Sequence, residues 1–122
     1  MKTVSILIPA FNEQDSIPLL YKELKSMMES LVIYNWEILF VNDGSSDNTL
    51  KAIKELREND EIVSYVDLSR NFGKESAMLA GLDYVLGDCV VIMDADLQHP
   101  PFVIKEMLKN GKKVMKMCMQ NV

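Results

Sequence analysis

The sequence predicts an α/β fold with a mainly parallel sheet of at least four strands, covered by helices on both faces in three α/β/α layers. Two observations predict it. Short apolar runs typical of buried strands recur four times, and segments that carry apolar residues at helical spacing alternate with them. Parallel strands joined through helices of this length require right-handed crossovers, which place helices against both faces of the sheet.

The first strand is expected over residues 4–8, where a β-branched run reaches Pro9, the residue expected to stop it. The first helix follows with Ser16 as its expected N-cap and tolerates Pro18 in its first turn. Its apolar face has three- and four-residue spacing and consists of Ile17, Leu20, Leu24, Met27 and Leu31. The first strand and helix thus begin the alternating pattern.

The pattern continues with a second strand over residues 36–41, ended by an Asn-Asp-Gly turn. Ser46 or Asp47 is then expected to cap a second helix. A third strand is predicted over residues 62–68 and a third helix over residues 73–86. Both pairs keep the strand and helix order that a parallel sheet requires.

A fourth strand is predicted over residues 88–93, and a short helix over residues 102–109 after two prolines. Gly111 is expected to stop that helix. We therefore divide the chain into a domain over residues 1–111 and a Met- and Lys-rich tail over residues 112–122. The tail is either an edge strand or a disordered end.

Polar residues that could bind a ligand or take part in catalysis fall at the carboxyl ends of the four strands. This is the edge at which parallel α/β sheets bind ligands. They occupy residues 9–13, 42–45, 69–74 and 94–96. Because the carboxyl ends of parallel strands share one edge, these segments are expected to form one rim. The rim is the predicted functional site.

Asp94 and Asp96 are the strongest candidates on this rim. Alternate residues of an extended segment share a face, so the two carboxylates point together while Ala95 points away, and Gln98 joins them if the chain stays extended. Such close carboxylates repel unless a cation or proton lies between them. Oxygen ligands favour Mg²⁺ or Mn²⁺. The alternative is a solvated turn that caps the following helix.

Other rim residues have two readings each. Asp43 is either an acceptor for a base or ribose group or part of a common Asp-Gly turn. Glu13 either contacts ligand or favours the start of a helix. His99, the only histidine, is interpreted as a turn residue rather than a catalytic base.

The segment RNFGKES supplies two cations near the rim, Arg70 and Lys74, which are either ligand contacts or ordinary surface charges. It is not a Walker phosphate loop, because the position five residues before its Gly-Lys pair is Leu68 rather than glycine. The chain also has no GxGxxG dinucleotide motif.

Charge and composition argue against several classes of protein. The 122 residues carry a formal net charge of −5, which argues against nonspecific nucleic-acid binding. Cys89 and Cys118 lack metal-site spacing and are interpreted as reduced thiols, and no stretch is apolar enough for a signal peptide or a membrane span. The expected location is cytoplasmic.

Four segments in order resemble the signatures of family 2 glycosyltransferases with the GT-A fold. They are VSILIPAFNEQDSI, ILFVNDGSSDNT, LSRNFGKESAMLAGL and VVIMDADLQHPP. The last is similar to the branch that transfers a sugar to a polyprenyl phosphate, which includes dolichyl-phosphate mannose synthases and bactoprenol glucosyltransferases. The resemblance implies a Rossmann-like, nucleotide-binding half domain and metal-dependent transfer of sugar from UDP-sugar or GDP-mannose.

The resemblance also implies roles for individual residues. Asp94, Asp96 and Gln98 would bind Mg²⁺ or Mn²⁺, whereas the catalytic residues on the acceptor side remain unassigned. The implied nucleotide-sugar contacts are Pro9, Ala10, Phe11, Glu13, Asp43, Arg70, Lys74, Asp94, Ala95 and Asp96. Full-length relatives would act on a lipid phosphate at the cytoplasmic face of the membrane.

The chain departs from the family pattern because it ends about two dozen residues after the acidic motif, where the acceptor half would follow. We therefore expect donor binding with little or no transfer. The alternative is a noncatalytic nucleotide-binding or self-associating module that forms a homodimer through its C-terminal edge. An Asp-x-Asp phosphatase is disfavoured, because its aspartates would follow an early strand and not the fourth.

Overall fold

The computed structural model describes residues 2–95 and 116–118, which form a five-stranded sheet in the order β3-β2-β1-β4-β5. The first four strands are parallel, and β5 is antiparallel to β4. The predicted α/β fold class is thereby confirmed. The elements are β1 Thr3–Ala10, α1 Ser16–Glu29, β2 Asn35–Asn42, α2 Thr49–Asn59, β3 Val63–Asp67, α3 Lys74–Leu82, β4 Cys89–Ile92 and β5 Lys116–Cys118.

Two apolar cores lie on opposite faces of the sheet, because alternate residues of each buried strand point to opposite sides. Ile6 and Ile8 of β1 belong to the core that includes buried residues of α1 and α2. Leu7 belongs to the other core, with Ala77 of α3. The sheet is therefore the middle layer of three, with α1 and α2 on one face and α3 on the other.

Pro9 lies inside β1 and does not stop it, which corrects the predicted end of this strand. The carbonyl oxygen of Leu7 accepts a hydrogen bond from the Met93 amide, so odd-numbered residues of β1 turn their backbone groups towards β4. β4 ends at Ile92, so Pro9 faces that side where no strand residue needs its missing N–H. Proline is therefore tolerated in a central strand.

α3 ends at Leu82, four residues before the predicted end. The Leu86 amide donates to the Glu37 carboxylate at 3.0 Å, and the Gly87 amide donates to the Ser5 hydroxyl at 2.9 Å. These bonds hold the chain in a non-helical path towards β4. Val85 still packs on the α3 side of the sheet, so the apolar spacing predicted its face but not the helix end.

The starts of the other helices also differ from the prediction. Asp15, and not Ser16, is the N-cap of α1, and Ser16 is the first helical residue. α2 begins at Thr49, with the Asp47 carboxylate accepting a hydrogen bond from its amide. The predicted helix over residues 102–109 lies outside the described residues, as does most of the tail apart from β5.

A polar link fastens α1 to the segment between α2 and β3. The Tyr21 hydroxyl donates to Asp60 at 2.6 Å, and the Lys25 ammonium lies 2.9 Å from the same carboxylate. Burial raises the pKa of Asp60, but the hydrogen bonds from Tyr21, Lys25 and the Ile62 amide, together with the Lys25 charge, outweigh burial and hold that pKa below its usual range. Burial, with the hydrogen bond to Asp60 and its negative charge, raises the pKa of Tyr21 to about 12.

We expect Tyr21→Phe to lower the free energy of unfolding by about 1–2 kcal/mol at neutral pH, because the Asp60 carboxylate loses a donor. In the unsubstituted protein the Tyr21 contribution is complete below pH 10, the usual tyrosine pKa, and is lost as the pH rises through about 12. The variant should lack this alkaline loss.

Urea unfolding at pH 8 and at several values above pH 10 checks this expectation. Tyr84→Phe is the matched control, since Tyr84 is exposed. Equal unfolding free energies for Tyr21→Phe and the unsubstituted chain at pH 8 would contradict the role given to this hydrogen bond.

Candidate functional site

The strand order places a crevice between β1 and β4. From β1 the chain moves to β2 and β3 on one side, and then crosses to β4 on the other. In open α/β sheets, ligands bind at the carboxyl ends of the strands where the direction reverses. A cavity of about 520 Å³, here called the rim cavity, opens at this place and is lined by Pro9, Ala10, Phe11, Glu13, Asp43, Asn71, Gly73, Lys74, Asp94 and Ala95.

The segment after β4 forms one wall of the rim cavity and keeps the alternation of a strand. Met93 and Ala95 are both 3% exposed and pack in the core formed with α1 and α2. Asp94, between them, forms an ion pair with the Lys74 ammonium at the start of α3. Its carboxylate is therefore held at the cavity on the α3 side.

The Asp43 carboxylate, 3% exposed, fastens the end of β2 to the loop before α3. It accepts hydrogen bonds from the amides of Phe72 at 2.8 Å and Gly73 at 3.1 Å. The Asn71 side-chain amide donates to the same carboxylate at 3.2 Å and to the Asp43 carbonyl at 3.1 Å. A buried carboxylate requires such donors.

Gly44 lets the turn after β2 approach this loop closely. Its φ is +66°, in the left-handed region, and a Cβ at this position would lie 2.2 Å from the Arg70 carbonyl carbon and the Asn71 nitrogen. Any other residue would push the two backbones apart. The Asp-Gly pair thus has a defined structural task, in which Asp43 binds the loop and Gly44 leaves room for it.

A second set of hydrogen bonds joins the loop after β1 to the loop after β2. Asn12 has a φ of +53°. Its backbone amide donates to the Ser45 hydroxyl at 2.9 Å, and its side-chain Oδ1 accepts from the Ser46 backbone amide at 2.8 Å. The Glu13 amide donates to the Thr49 hydroxyl at 2.8 Å. These bonds fix the Glu13 backbone beside the cavity.

Asp47 completes this junction. Its carboxylate accepts from the Thr49 amide and hydroxyl, at 2.9 and 2.5 Å, and from the Gln14 amide at 3.3 Å. Burial raises the pKa of Asp47, but these hydrogen bonds outweigh burial and leave its pKa below the usual range. The polar residues of FNEQD and GSSDNT therefore hold two loops together, a task that the sequence reasoning did not foresee.

The structure brings most of the proposed site residues together. Arg70 does not line the rim cavity and instead lies over the Phe72 ring, 4.9 Å from its centroid. Asp96 and Gln98 fall outside the described residues. Those that line the cavity are Pro9, Ala10, Phe11, Glu13, Asp43, Lys74, Asp94 and Ala95.

Sequence reasoning missed Asn71 and Gly73, which also line the cavity. Their place within a strand-end segment was the available signal, but only the contacts with Asp43 show what they do. Gly73 has a φ of +102°, and a Cβ added to it would meet no atom within 4 Å. Its backbone conformation, and not a lack of space, is therefore the reason for glycine.

Only one of the three proposed metal ligands lies among the described residues. Within residues 2–95 and 116–118, no three His, Cys, Asp or Glu side chains are grouped to hold a metal ion. Asp94 is the one proposed metal ligand in these ranges, and it offers the carboxylate oxygens that Mg²⁺ and Mn²⁺ favour. The described part of the proposed site thus supplies one oxygen ligand of the kind that a hard cation takes.

A larger cavity of about 820 Å³ lies along β2 and β3, and its lining runs from the amino ends of β1 and β2 to Val66 near the carboxyl end of β3. Thr3, Trp36 and Ile62 line it, with Tyr84 and Leu86 from the segment after α3. It shares no lining residue with the rim cavity, which lies where the sheet reverses direction. Size alone does not make it the functional site, and the rim cavity has the better chemistry.

Comparison with known proteins identifies the family to which this rim belongs. The sequence pattern described as "Glycosyl transferase family 2" matches residues 5–117. The chain belongs to glycosyl transferase family 2. The matched region includes residues of all five described strands, and so it includes the strand ends that form the rim.

Two relatives show which proteins are similar. The chain is 47% identical over 106 residues to CsbB of Bacillus subtilis (strain 168), named as a glycosyltransferase, covering 87% of this chain and 32% of CsbB. It is 43% identical over 106 residues to the bactoprenol glucosyl transferase of Shigella phage SfX, covering 87% of this chain and 34% of that protein. The chain spans about a third of the length of these relatives.

A solved structure supports the GT-A fold. The mannosyltransferase PcManGT from Pyrobaculum calidifontis, in complex with GDP-Man and Mn²⁺, matches with a TM-score of 0.59 and 27% identity over 76% of this chain and 27% of that one. In the part of the chain that the structure describes, no helix is long and apolar enough to cross a membrane.

We expect Asp43→Asn to lower the free energy of unfolding by about 2–3 kcal/mol, because an amide NH₂ would face an N–H donor and leave a buried group unsatisfied. Amide hydrogen exchange at Phe72 and Gly73 should accelerate. Asp83→Asn makes the same charge change at an exposed position and serves as the control. Unchanged exchange at Phe72 and Gly73 in Asp43→Asn would refute the anchoring role.

Proposed function

We propose that the rim cavity binds the nucleotide-diphosphate part of a sugar donor, a UDP-sugar or GDP-mannose, together with Mg²⁺ or Mn²⁺. The observation that carries the proposal is the position of Asp94, a carboxylate on the wall of a cavity at the point where the sheet reverses direction. The similar mannosyltransferase PcManGT was solved with GDP-Man and Mn²⁺, which supports this ligand class.

In this proposal the ends of β1 and β2 receive the nucleoside. Phe11 is 46% exposed and offers an aromatic face beside the cavity, while Glu13 offers a carboxylate. The Asp43 carboxylate uses part of its acceptor capacity on the loop before α3, with two hydrogen bonds to Oδ2 and one to Oδ1, so Oδ1 keeps a further lone pair for a base or ribose donor. Arg70 would reach the ligand only from outside the described cavity lining.

Charge balance is the reason to include a metal. Glu13, Asp43 and Asp94 line the same cavity, and a donor diphosphate would add further negative charge. Carboxylates and phosphates are compatible when a cation lies between them. We propose Asp94, Asp96 and Gln98 as its protein ligands. When bound, the ion would offset the negative charge of the leaving diphosphate during sugar transfer.

The sugar acceptor is proposed from the relatives. The protein of phage SfX is named a bactoprenol glucosyl transferase, and a lipid phosphate such as a polyprenyl phosphate is the corresponding acceptor here. For full-length relatives we propose action at the cytoplasmic face of a membrane. The chain spans about a third of this relative. We therefore propose sugar transfer for full-length members of the family and donor binding for the rim cavity of this chain.

The test is a calorimetric titration of the chain with UDP and GDP, each with and without Mn²⁺. We expect measurable binding of one nucleotide that strengthens at least about tenfold with Mn²⁺, and Asp96→Ala should remove this gain because it deletes a metal ligand. Asp83→Ala, an exposed carboxylate on the far end of α3, is the control. Thermal unfolding checks that each variant is folded.

Binding that is unchanged by Mn²⁺ or by Asp96→Ala would refute the metal-dependent site. Absence of nucleotide binding together with a dimer in solution would favour the self-associating module instead. Sedimentation of the same samples separates these outcomes.

A further inference from the structure

The Lys74 ammonium lies where a metal ion would be expected to act on Asp94. Lys74 is the first residue of α3, and its Nζ atom pairs with Asp94 Oδ1. Within the described part of the chain, Lys74 is the only positively charged side chain that lines the rim cavity. The cation that the acidic cavity requires is therefore supplied by the protein itself in this state.

The Lys74 side chain is freer to move than the Asp94 side chain. The Lys74 side chain is 60% exposed, whereas the Asp94 side chain is 20% exposed and its neighbours Met93 and Ala95 are anchored in the core. Lysine has a flexible four-carbon stem and a compact charge, so it exchanges partners without movement of the backbone. If the ion pair opens, Lys74 is the member that moves.

Asp43, another carboxylate that lines the rim cavity, is held by hydrogen bonds and not by the lysine. Asp43 accepts hydrogen bonds from the Phe72 and Gly73 amides and from the Asn71 side chain. The Lys74 ammonium thus pairs with Asp94, the proposed metal ligand. The lysine and a bound metal ion therefore compete for the same carboxylate.

We propose that Lys74 is a displaceable internal counter-ion. In the metal-free protein it neutralises Asp94; when the divalent ion binds, Lys74 leaves that carboxylate and its ammonium contacts the donor diphosphate. This inference rests on the proposed function, since it requires a metal and a diphosphate in the rim cavity. It makes Lys74 oppose metal binding and assist donor binding.

These opposite signs separate the proposal from a purely structural ion pair between α3 and the end of β4. A structural pair would make removal of the lysine lower stability and leave metal affinity unchanged or weaker. A competing counter-ion makes its removal strengthen metal binding in the absence of nucleotide and weaken nucleotide binding in the presence of metal.

The experiment measures Mn²⁺ binding to the nucleotide-free chain by the loss of the free-Mn²⁺ electron paramagnetic resonance signal. We expect Lys74→Gln to bind Mn²⁺ about two- to fivefold more tightly than the unsubstituted chain, a range set by the strength of partly exposed ion pairs. Lys74→Arg, which keeps the charge, should bind as the unsubstituted chain does. Lys54→Gln removes an exposed lysine from α2 and is the control.

The second measurement titrates UDP or GDP, whichever binds the unsubstituted chain, at saturating Mn²⁺. Lys74→Gln should bind it about tenfold more weakly, because a charge-assisted contact with phosphate is lost. Lys74→Arg should recover most of that affinity.

The outcomes for this inference and for the proposed function are distinct. If the unsubstituted chain binds Mn²⁺ and nucleotide but Lys74→Gln binds Mn²⁺ no more tightly, the counter-ion role is wrong and the proposed donor site stands. If neither protein binds Mn²⁺, the metal site itself is refuted.

Discussion

The hydrogen bonds of one buried carboxylate, Asp43, hold α3 at the rim. They join the end of β2 to the loop before α3, and so set where the first turn of α3 meets the carboxyl ends of β1 and β4. The close approach depends on glycine at position 44, because a side chain there would overlap the loop backbone. With this junction in place, Lys74 lies within reach of Asp94.

The rest of the site follows from charge. A sheet whose order reverses between β1 and β4 leaves a crevice at its carboxyl edge, and this chain lines that crevice with acids. Backbone amides satisfy one carboxylate and a lysine satisfies another, which is how an acidic rim is stable before any ligand enters. A diphosphate requires a further cation, so donor and metal binding are expected to be coupled.

Much of this could be predicted from the sequence, since apolar periodicity and strand-end polarity are local signals. They predicted four parallel strands, three helices and the common rim. They did not predict that β1 continues through Pro9, because tolerance of proline there depends on where β4 ends. Nor did they predict the early end of α3, which depends on the Glu37 carboxylate and the Ser5 hydroxyl, more than 45 residues away along the chain.

The site, like the fold, could be predicted from the sequence only in part. Motif order predicted the family, but the polar residues of its motifs proved to have two kinds of task. Asn12 and Asp47 use their side chains to join neighbouring loops, whereas Asp94 offers its carboxylate to the cavity. Spacing in a sequence does not distinguish a hydrogen bond between loops from a ligand contact, because both favour the same small polar residues in turns.

The most direct test of a metal-dependent donor site at the rim is nuclear magnetic resonance of the isotopically labelled chain with substoichiometric Mn²⁺ and the nucleotide that binds. Paramagnetic broadening locates the ion without assuming any ligand. We expect the amide signals of Ala10, Gly73 and Ala95 at the rim to broaden first, while Tyr84 and Leu86 at the larger cavity keep their intensities. Selective broadening at Tyr84 and Leu86 with sharp rim signals would contradict a metal site at the rim.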